Sequence, residues 1–367
     1  MKTLGLVMIV KNEERCLGKC LERVKDLVDK IYITDTGSTD RTREIAASFG
    51  AVVSDYVWNQ DFSAARNFAL DQSDCDWNLV LDADEYLIEG TRKDIEPFME
   101  NMEHVGAIQR KDYYNEGTVD EKEQVAYMYT WAGRLIPRGV RFSGKIHEQE
   151  NSVFPAESLP LLFEHDGYQQ GGKEERNLAI LLEELKEKPK DPYLLFQTAR
   201  TLRGMKRHEE ACKYFEEFRK KVPLKGAAYR TTGLIQYLYS LIEIQDFDTA
   251  LKVIEDEQER LWDYADFHFT CGIIFMKAIL ADTRKYIDYL PMIEQAYLRC
   301  LEIGEVPLHQ GIHGCGSFKA SHNLGTWYEV SGDISKALEC YRRAADEGYL
   351  PSISRIEALE NTATSAK

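Results

Sequence analysis

The sequence has no run approaching the ~20 apolar residues of a membrane span. It has no low-complexity tract and no basic stripe. With 46 Lys and Arg against 62 Asp and Glu, the net charge is −16. That balance argues against nucleic acid or an anionic membrane surface as the main partner, while leaving room for a local basic pocket that holds a phosphate. The eight cysteines are scattered. Cys16 and Cys20 fall at helical spacing, but no second pair of metal-ligand spacing follows, so zinc is not expected and free thiols are. The apolar stretch Leu4–Val10 is cut short by Lys11-Asn12-Glu13-Glu14-Arg15. It reads as a buried first strand rather than a secretory leader, and a cytosolic protein is expected.

The chain has two kinds of pattern. Residues 1–90 alternate strand and helix signals. Strands are expected at Leu4–Val10, Ile31–Thr34 and Ala51–Ser54 and running into Asp82. Helical stripes are expected from Cys16 to Val28, near Arg41–Phe49 and over Ala64–Asp71. Such alternation predicts crossover units and a mainly parallel sheet, which binds ligands at the carboxyl ends of its strands. Asp35 and Asp82 both fall at such ends. Residues 91–170 carry β-like stretches at Val105–Tyr114 and Ala126–Ile136. From Gly172 onward the pattern is helical, which divides the chain into 1–171 and 172–367.

The helical half contains a loose repeat: EEACKYFEEF (209–218), DTALKVIEDE (248–257), EQAYLRCLEI (294–303) and SKALECYRRA (335–344). Each places Ala near the start of a second helix, at 211, 250, 296 and 337. The last unit fits the tetratricopeptide pattern through Leu324-Gly325, Tyr328, Gly332, Ala337 and Tyr341. Stacked helix pairs form a solenoid whose concave face suits an extended ligand, with Tyr193, Phe196, Tyr229, Tyr237 and Tyr328 as candidate aromatics or interhelical packing. An irregular helical bundle is the plainer alternative.

The chemistry concentrates in short motifs. In WNLVLDADEYL (77–87) an apolar strand ends in Asp82, Asp84 and Glu85. Clustered carboxylates there are poor for stability and good for holding a hard cation such as Mg2+ or Mn2+. An EF-hand fails, because Leu87 and Lys93 stand where it needs Gly and Glu. An aspartyl-phosphate enzyme fails at Tyr86, where Thr is needed. Asp35-Thr36-Gly37-Ser38 is the lone copy of a motif that an aspartic protease needs twice. It reads better as a strand-end loop in which Asp35 meets a base or ribose, or else caps structure. Arg66, in the loop-to-helix stretch from Asp61, is a fork-shaped donor for phosphate or carboxylate. Beyond the β-like region, His147 is a candidate metal ligand and Glu148 a candidate base. His165-Asp166-Gly167-Tyr168 is a second His-bearing turn that sequence does not rank below the first.

Taken together, MIVKNEE (8–14), DTGSTD (35–40), DFSAARN (61–67), DADE (82–85) and GKIHE (144–148) resemble the family 2 glycosyltransferases in order and spacing. HDGY (165–168), Arg176-Asn177 and the repeats extend the resemblance over nearly the whole chain. It is most similar to the bacterial subgroup with tetratricopeptide-like repeats, which includes enzymes that glycosylate Cys or Ser of bacteriocin-type peptides. The resemblance implies an α/β domain of the GT-A type with a mixed, mainly parallel sheet, followed by an all-α repeat domain. It implies an inverting, UDP-sugar-dependent transferase using Mn2+ or Mg2+. A peptide or protein acceptor is expected, with a cell-surface glycan as the alternative. It also implies roles by position. Val10, Lys11, Asn12, Glu13 and Asp35 would meet the nucleotide, and Asp61 and Arg66 would line its pocket. Asp82 with Ala83 would reach the ribose or a metal-bound water, Asp84 and His147 would bind the metal, and Glu148 would act as base. One departure is visible: many members carry the catalytic Asp in a Glu-Asp pair further from the metal motif than His147-Glu148 lies from Asp84. A non-catalytic nucleotide-sensing scaffold and dimerisation through the repeats are the competing uses of the same architecture.

Overall fold

The computed structural model describes residues 2–114, 126–165, 174–224, 229–306 and 311–365. The chain divides into two compact units, the second of which carries the helices from Lys188 onward.

The first unit opens with β1 (Leu4–Val10), α1 (Leu17–Val24), β2 (Lys30–Asp35), α2 (Thr42–Ser48), β3 (Val52–Asp55), α3 (Phe62–Asp71) and β4 (Trp77–Val80). It continues through β5 (Glu85–Glu89), α4 (Arg92–Met99), β6 (Val105–Tyr114), β7 (Ala126–Pro137), β8 (Phe142–Ser143), β9 (Gln149–Glu150), β10 (Ala156–His165) and α5 (Glu174–Glu187). The main sheet runs in the order β3-β2-β1-β4-β7-β6-β10-β5. Pairs β2–β3, β1–β2, β1–β4 and β6–β10 are parallel, while β4–β7 and β5–β10 are antiparallel. The sheet is therefore mixed and mainly parallel.

β1 is apolar throughout because it is covered on both faces, as central parallel strands are. On one face Leu4, Leu6 and Met8 pack with Leu17, Leu21 and Val24 of α1. On the other, Val7 and Val80 pack with Ala69 and Leu70 of α3. The helix α5 belongs to this first unit: Glu184 accepts from the Lys145 N–H at 3.1 Å, and the Arg176 guanidinium lies 5.6 Å from the Phe62 ring centre.

Two consequences of this topology position the site. The parallel set β1, β2 and β4 delivers Val10, Asp35 and Asp82 to one edge. The register of β10 then brings His165 opposite Glu85 of β5 and Asp112 of β6. Residues 166–168 of the second His-bearing turn, and Gly172 at the expected start of the helical half, lie outside the described residues.

In the second unit, helices pair as α6 (Pro192–Gly204) with α7 (His208–Lys221) and α8 (Arg230–Glu243) with α9 (Phe247–Glu257). Next come α10 (Ala265–Ala281), the short α11 (Thr283–Tyr286) and α12 (Leu290–Ile303), then α13 (Phe318–Val330), α14 (Ile334–Asp346) and α15 (Leu350–Ser365). All four repeat segments fall in the second helix of a pair, and Ala211, Ala250, Ala296 and Ala337 are buried there. Three turns share one design. Lys206, Gln245 and Gly332 each take positive φ, and the next residue donates its N–H to the carbonyl five residues back, 2.9–3.0 Å away. This is a Schellman closure of the first helix. Asp246 and Asp333 then cap the second helix by accepting from Thr249 and Lys336. Of the five aromatics expected on the concave face, Phe196, Tyr237 and Tyr328 are buried. Tyr193 and Tyr229 are half-buried and stack edge to face at 5.1 Å. Packing accounts for this set.

Candidate functional site

At the carboxyl ends of β1 and β2, two loops are zipped together. Asn12 adopts φ 57° and accepts the Thr39 N–H on Oδ1 at 2.8 Å, while its own N–H donates to Ser38 Oγ at 2.9 Å. The Glu13 N–H donates to Thr42 Oγ1 at 2.7 Å. This leaves Val10 buried and Lys11 exposed at the loop mouth. Asp35 lies beneath, 2% exposed. Its Oδ1 accepts the Gly37 and Ser38 N–H groups at 2.9 Å, and its Oδ2 is buried without a hydrogen-bond partner. A buried, unpaired carboxylate oxygen is costly, so this atom is suited to an N–H from a ligand.

After β4 the chain enters a network of acids and guanidiniums. Asp82 accepts from Arg66 Nη2 on Oδ1 at 3.0 Å and from Arg134 Nη2 on Oδ2 at 2.9 Å. Packing of neighbouring groups pushes the half-exposed carboxyl up, but Arg134 and then Arg66 outweigh that and hold it well below the usual carboxylate range. Glu85, fully buried, takes Arg134 at 2.7 Å and Arg110 at 2.8 Å on Oε1 and the Asp82 N–H at 3.0 Å on Oε2. Arg66 is itself 4% exposed and reaches on to Glu148 Oε1, with Nη2 at 2.5 Å and Nε at 2.6 Å.

Beside this network, Asp84 meets His165 rather than a second carboxylate. His165 Nε2 lies 3.7 Å from Asp84 Oδ1, and its Nδ1 lies 2.7 Å from Asp112 Oδ1. Burial pushes the imidazole down, yet its hydrogen bond to Asp112 and the nearby Asp84 carboxylate outweigh this and raise it to about 10. Asp112, also buried, accepts from Thr130 at 2.6 Å and Arg110 at 3.3 Å on Oδ2.

The expected site residues thus divide. Asp35, Asp82 and Asp84 lie at the predicted strand edge, and Ala83 is buried between the two aspartates. Arg66 and Glu148 join the network as an ion pair. Asp61 caps α3, accepting from the Ala64 N–H at 2.9 Å and Ser63 Oγ at 2.8 Å. His147 stands on the turn between β8 and β9 with φ 51°. The imidazole that the structure sets against Asp84 is that of His165. Sequence reasoning missed Arg110, Asp112, Thr130 and Arg134. The available signal was alternation: Arg110 and Asp112 are two apart, and Thr130 and Arg134 four apart, in β-like stretches.

Among the described residues no group of three or more His, Cys, Asp or Glu side chains is arranged to hold a metal. The Asp84–His165 pair supplies one carboxylate oxygen and, once a cation displaces the proton on Nε2, one imidazole nitrogen. Such a half-set fits a divalent cation that completes its shell with water and a substrate's phosphates. Charge points the same way. Five carboxylates (Asp82, Asp84, Glu85, Asp112 and Glu148) face three guanidiniums and one imidazole, an acidic excess that would repel a bare diphosphate. Cys16 donates to Glu13 Oε2 at 3.1 Å, and Cys20 lies 3.9 Å from the Asp82 carbonyl. No helix among the described residues is long and apolar enough to cross a membrane.

Residues 6–157 match the family described as Glycosyl transferase family 2. The chain is similar to the TPR repeat-containing protein Synpcc7942_0270 of Synechococcus elongatus, 34% identical over 53% of this chain and 51% of that one. It is also similar to the SPbeta prophage-derived glycosyltransferase SunS of Bacillus subtilis, 25% identical over 82% of this chain and 65% of that one. The chain therefore spans about half to two thirds of the length of these relatives. Glucosyl-3-phosphoglycerate synthase from Mycobacterium tuberculosis, solved with Mn2+ and uridine diphosphate, is similar over 32% of this chain and 45% of that one. Its identity is 23% and its TM-score of 0.25 is too low to carry an argument. Residues 6–157 are thus similar to glycosyl transferase family 2, and the second half of the chain is built of paired helices that resemble tetratricopeptide repeats.

Proposed function

We propose that the chain is a glycosyltransferase that moves a sugar from a UDP-sugar to a peptide or protein side chain (Cys, Ser or Thr), with inversion, and depends on Mn2+ or Mg2+. The observation that carries this reading is the pairing of two features at one strand edge. Asp35 Oδ2 is buried without a partner, ready for a base N–H, and Asp84 with His165 forms a half-set of cation ligands. The cation supplies charge neutralisation for the departing diphosphate. Asp84 and His165 hold it, and His165 takes the place first expected of His147.

Val10, Lys11, Asn12 and Glu13 form the rim of the nucleotide pocket, whose floor is Asp35. Asp82 serves this site through Arg66 and Arg134. With both its oxygens engaged, it orients the turn that carries Ala83 and Asp84. Glu148 is the carboxylate assigned to take the acceptor's proton. Both Arg66 bonds go to its Oε1, so Oε2 is the oxygen for that step. The acceptor attacks the anomeric carbon from the face opposite the leaving diphosphate, which is the origin of inversion. The helical repeats from Lys188 onward offer a surface along which an extended peptide can lie.

The test is a screen of UDP-sugars with and without a peptide pool, reading UDP release and the mass of the peptides. UDP release with any donor, and a one-sugar mass increase on Cys, Ser or Thr, supports the reading. Neither release nor transfer with any donor would overturn it, and transfer only to a glycan would move the acceptor to a cell-surface polymer.

A further inference from the structure

We infer that Asp112 is a positioning residue: it holds the His165 ring so that Nε2 faces Asp84 and the two present a preformed half-site to a divalent cation. The inference rests on the reading of Asp84 and His165 as the cation's protein ligands.

The geometry builds it from three strands. Asp112 on β6 is in register with His165 on β10, and its Oδ1 lies 2.7 Å from Nδ1. Its Oδ2 accepts from Thr130 on β7 at 2.6 Å and from Arg110 on β6 at 3.3 Å. Arg110 in turn donates to Glu85, one residue after Asp84, at 2.8 Å. Both oxygens of Asp112 are therefore engaged, and it acts on a cation through the imidazole alone.

The cost of burying a carboxylate, here 3% exposed, is offset only by a full set of donors. This set also fixes the rotation of the carboxylate, and through it the ring. A carboxylate on the far nitrogen of a ligating histidine fixes its orientation and strengthens its donor nitrogen, and losing such a partner typically weakens metal affinity about 10–100-fold. Nothing else in the sequence marks Asp112, because Gln109-Arg110-Lys111-Asp112 reads as an ordinary charged strand end.

The experiment is a Mn2+ titration of the full chain with UDP present and no sugar donor, followed by the electron paramagnetic resonance of free Mn2+. It compares the parent with Asp112→Asn, Thr130→Val, Asp84→Ala and His165→Ala. Asp112→Asn should weaken Mn2+ binding about 10–100-fold. UDP binding in EDTA should stay at the parent value, and Thr130→Val should weaken Mn2+ binding less and in the same direction. A merely structural Asp112 would lower the melting temperature without moving the Mn2+ affinity of the folded protein. If folded Asp112→Asn binds Mn2+ like the parent while His165→Ala does not, the inference is overturned and the cation reading stands. If Asp84→Ala and His165→Ala both bind Mn2+ like the parent, the cation reading fails and takes the inference with it. Should Asp112→Asn not fold, unchanged Mn2+ affinity in Thr130→Val overturns the positioning role on its own.

Discussion

Arg66 and Glu148, 82 residues apart, form a two-point ion pair in which Nε and Nη2 both reach Oε1, at 2.6 and 2.5 Å. The same Nη2 also holds Asp82 at 3.0 Å, so one buried guanidinium ties the turn before Asp84 to the strand pair β8–β9. Removing it would strand two carboxylates whose charge it balances. Arg66→Met should destabilise the protein by about 3–5 kcal/mol, the usual result of breaking a buried pair from one side. Urea unfolding at pH 7 measures this, and a loss below about 1 kcal/mol would mean that water reaches the pair and screens it.

Asp35→Asn separates ligand recognition from folding. The asparagine carbonyl can keep the Gly37 and Ser38 N–H bonds, but an amide NH2 then replaces the unpartnered Oδ2. UDP affinity, measured calorimetrically, should fall by about 1–3 kcal/mol, the range for a hydrogen bond replaced by an unmatched polar group. The melting temperature should hardly move. Unchanged UDP affinity would remove Asp35 from the nucleotide site.

The first part of the fold and the strand edge that carries Asp35 and Asp82 were legible in the sequence, whereas the contact between His165 and Asp84 was not. Leu4–Val10 and the run into Val80 are apolar enough to declare buried parallel strands, and a strand ending in Asp35 or Asp82 declares its edge. The proximity of His165 to Asp84 depends instead on antiparallel pairing of β10 with β5, two strands some 80 residues apart whose register no local pattern reveals. The sequence offered His147 and His165 side by side as candidates and had no pattern with which to rank them. Arg110 and Arg134 were missed for a different reason. A charged residue in a β-like stretch usually marks the solvent face, and these two point inward because Glu85 is there to receive them.

Two glycines in the repeats should respond to alanine with opposite signs. A Cβ on Gly272 would meet three atoms of the buried Tyr297 ring at 2.6–3.0 Å, a closeness that α10 and α12 relieve only by moving apart. Overpacking costs about 1–3 kcal/mol and outweighs the helix-propensity gain of about 1 kcal/mol, so Gly272→Ala should destabilise. Gly204, at the end of α6, has nothing within 4 Å of its Cβ position, and Gly204→Ala should stabilise by about 0.5–1 kcal/mol. Thermal unfolding of both variants checks the pair. Equal shifts would mean that the Tyr297 contact does not set the α10–α12 spacing.

Asp266 gives the repeat half a pH signature. Burial raises its carboxyl to about 6, although Oδ2 accepts the Ile312 N–H at 2.8 Å. Because the folded value lies above the unfolded one, near 3.9, this group's contribution to stability is complete below pH 4 and is lost as pH rises through 6. Asp266→Asn removes that loss. Relative to the parent it should be more stable by about 1–3 kcal/mol at pH 8 and equal at pH 4, as read by denaturant unfolding at the two pH values. A difference that does not change with pH would mean that Asp266 titrates normally.

In the proposed reaction Asp84 holds a cation on which sugar transfer from a UDP-sugar depends. The most direct measurement is the rate of UDP release by the parent and by Asp84→Ala, each in Mn2+, in Mg2+ and in EDTA, with circular dichroism confirming that the variant is folded. Release by the parent is expected in at least one metal and none in EDTA, with Asp84→Ala at least 100-fold slower in the same metal. Equal rates for the two proteins, or full activity of Asp84→Ala in EDTA, would contradict the proposed reaction.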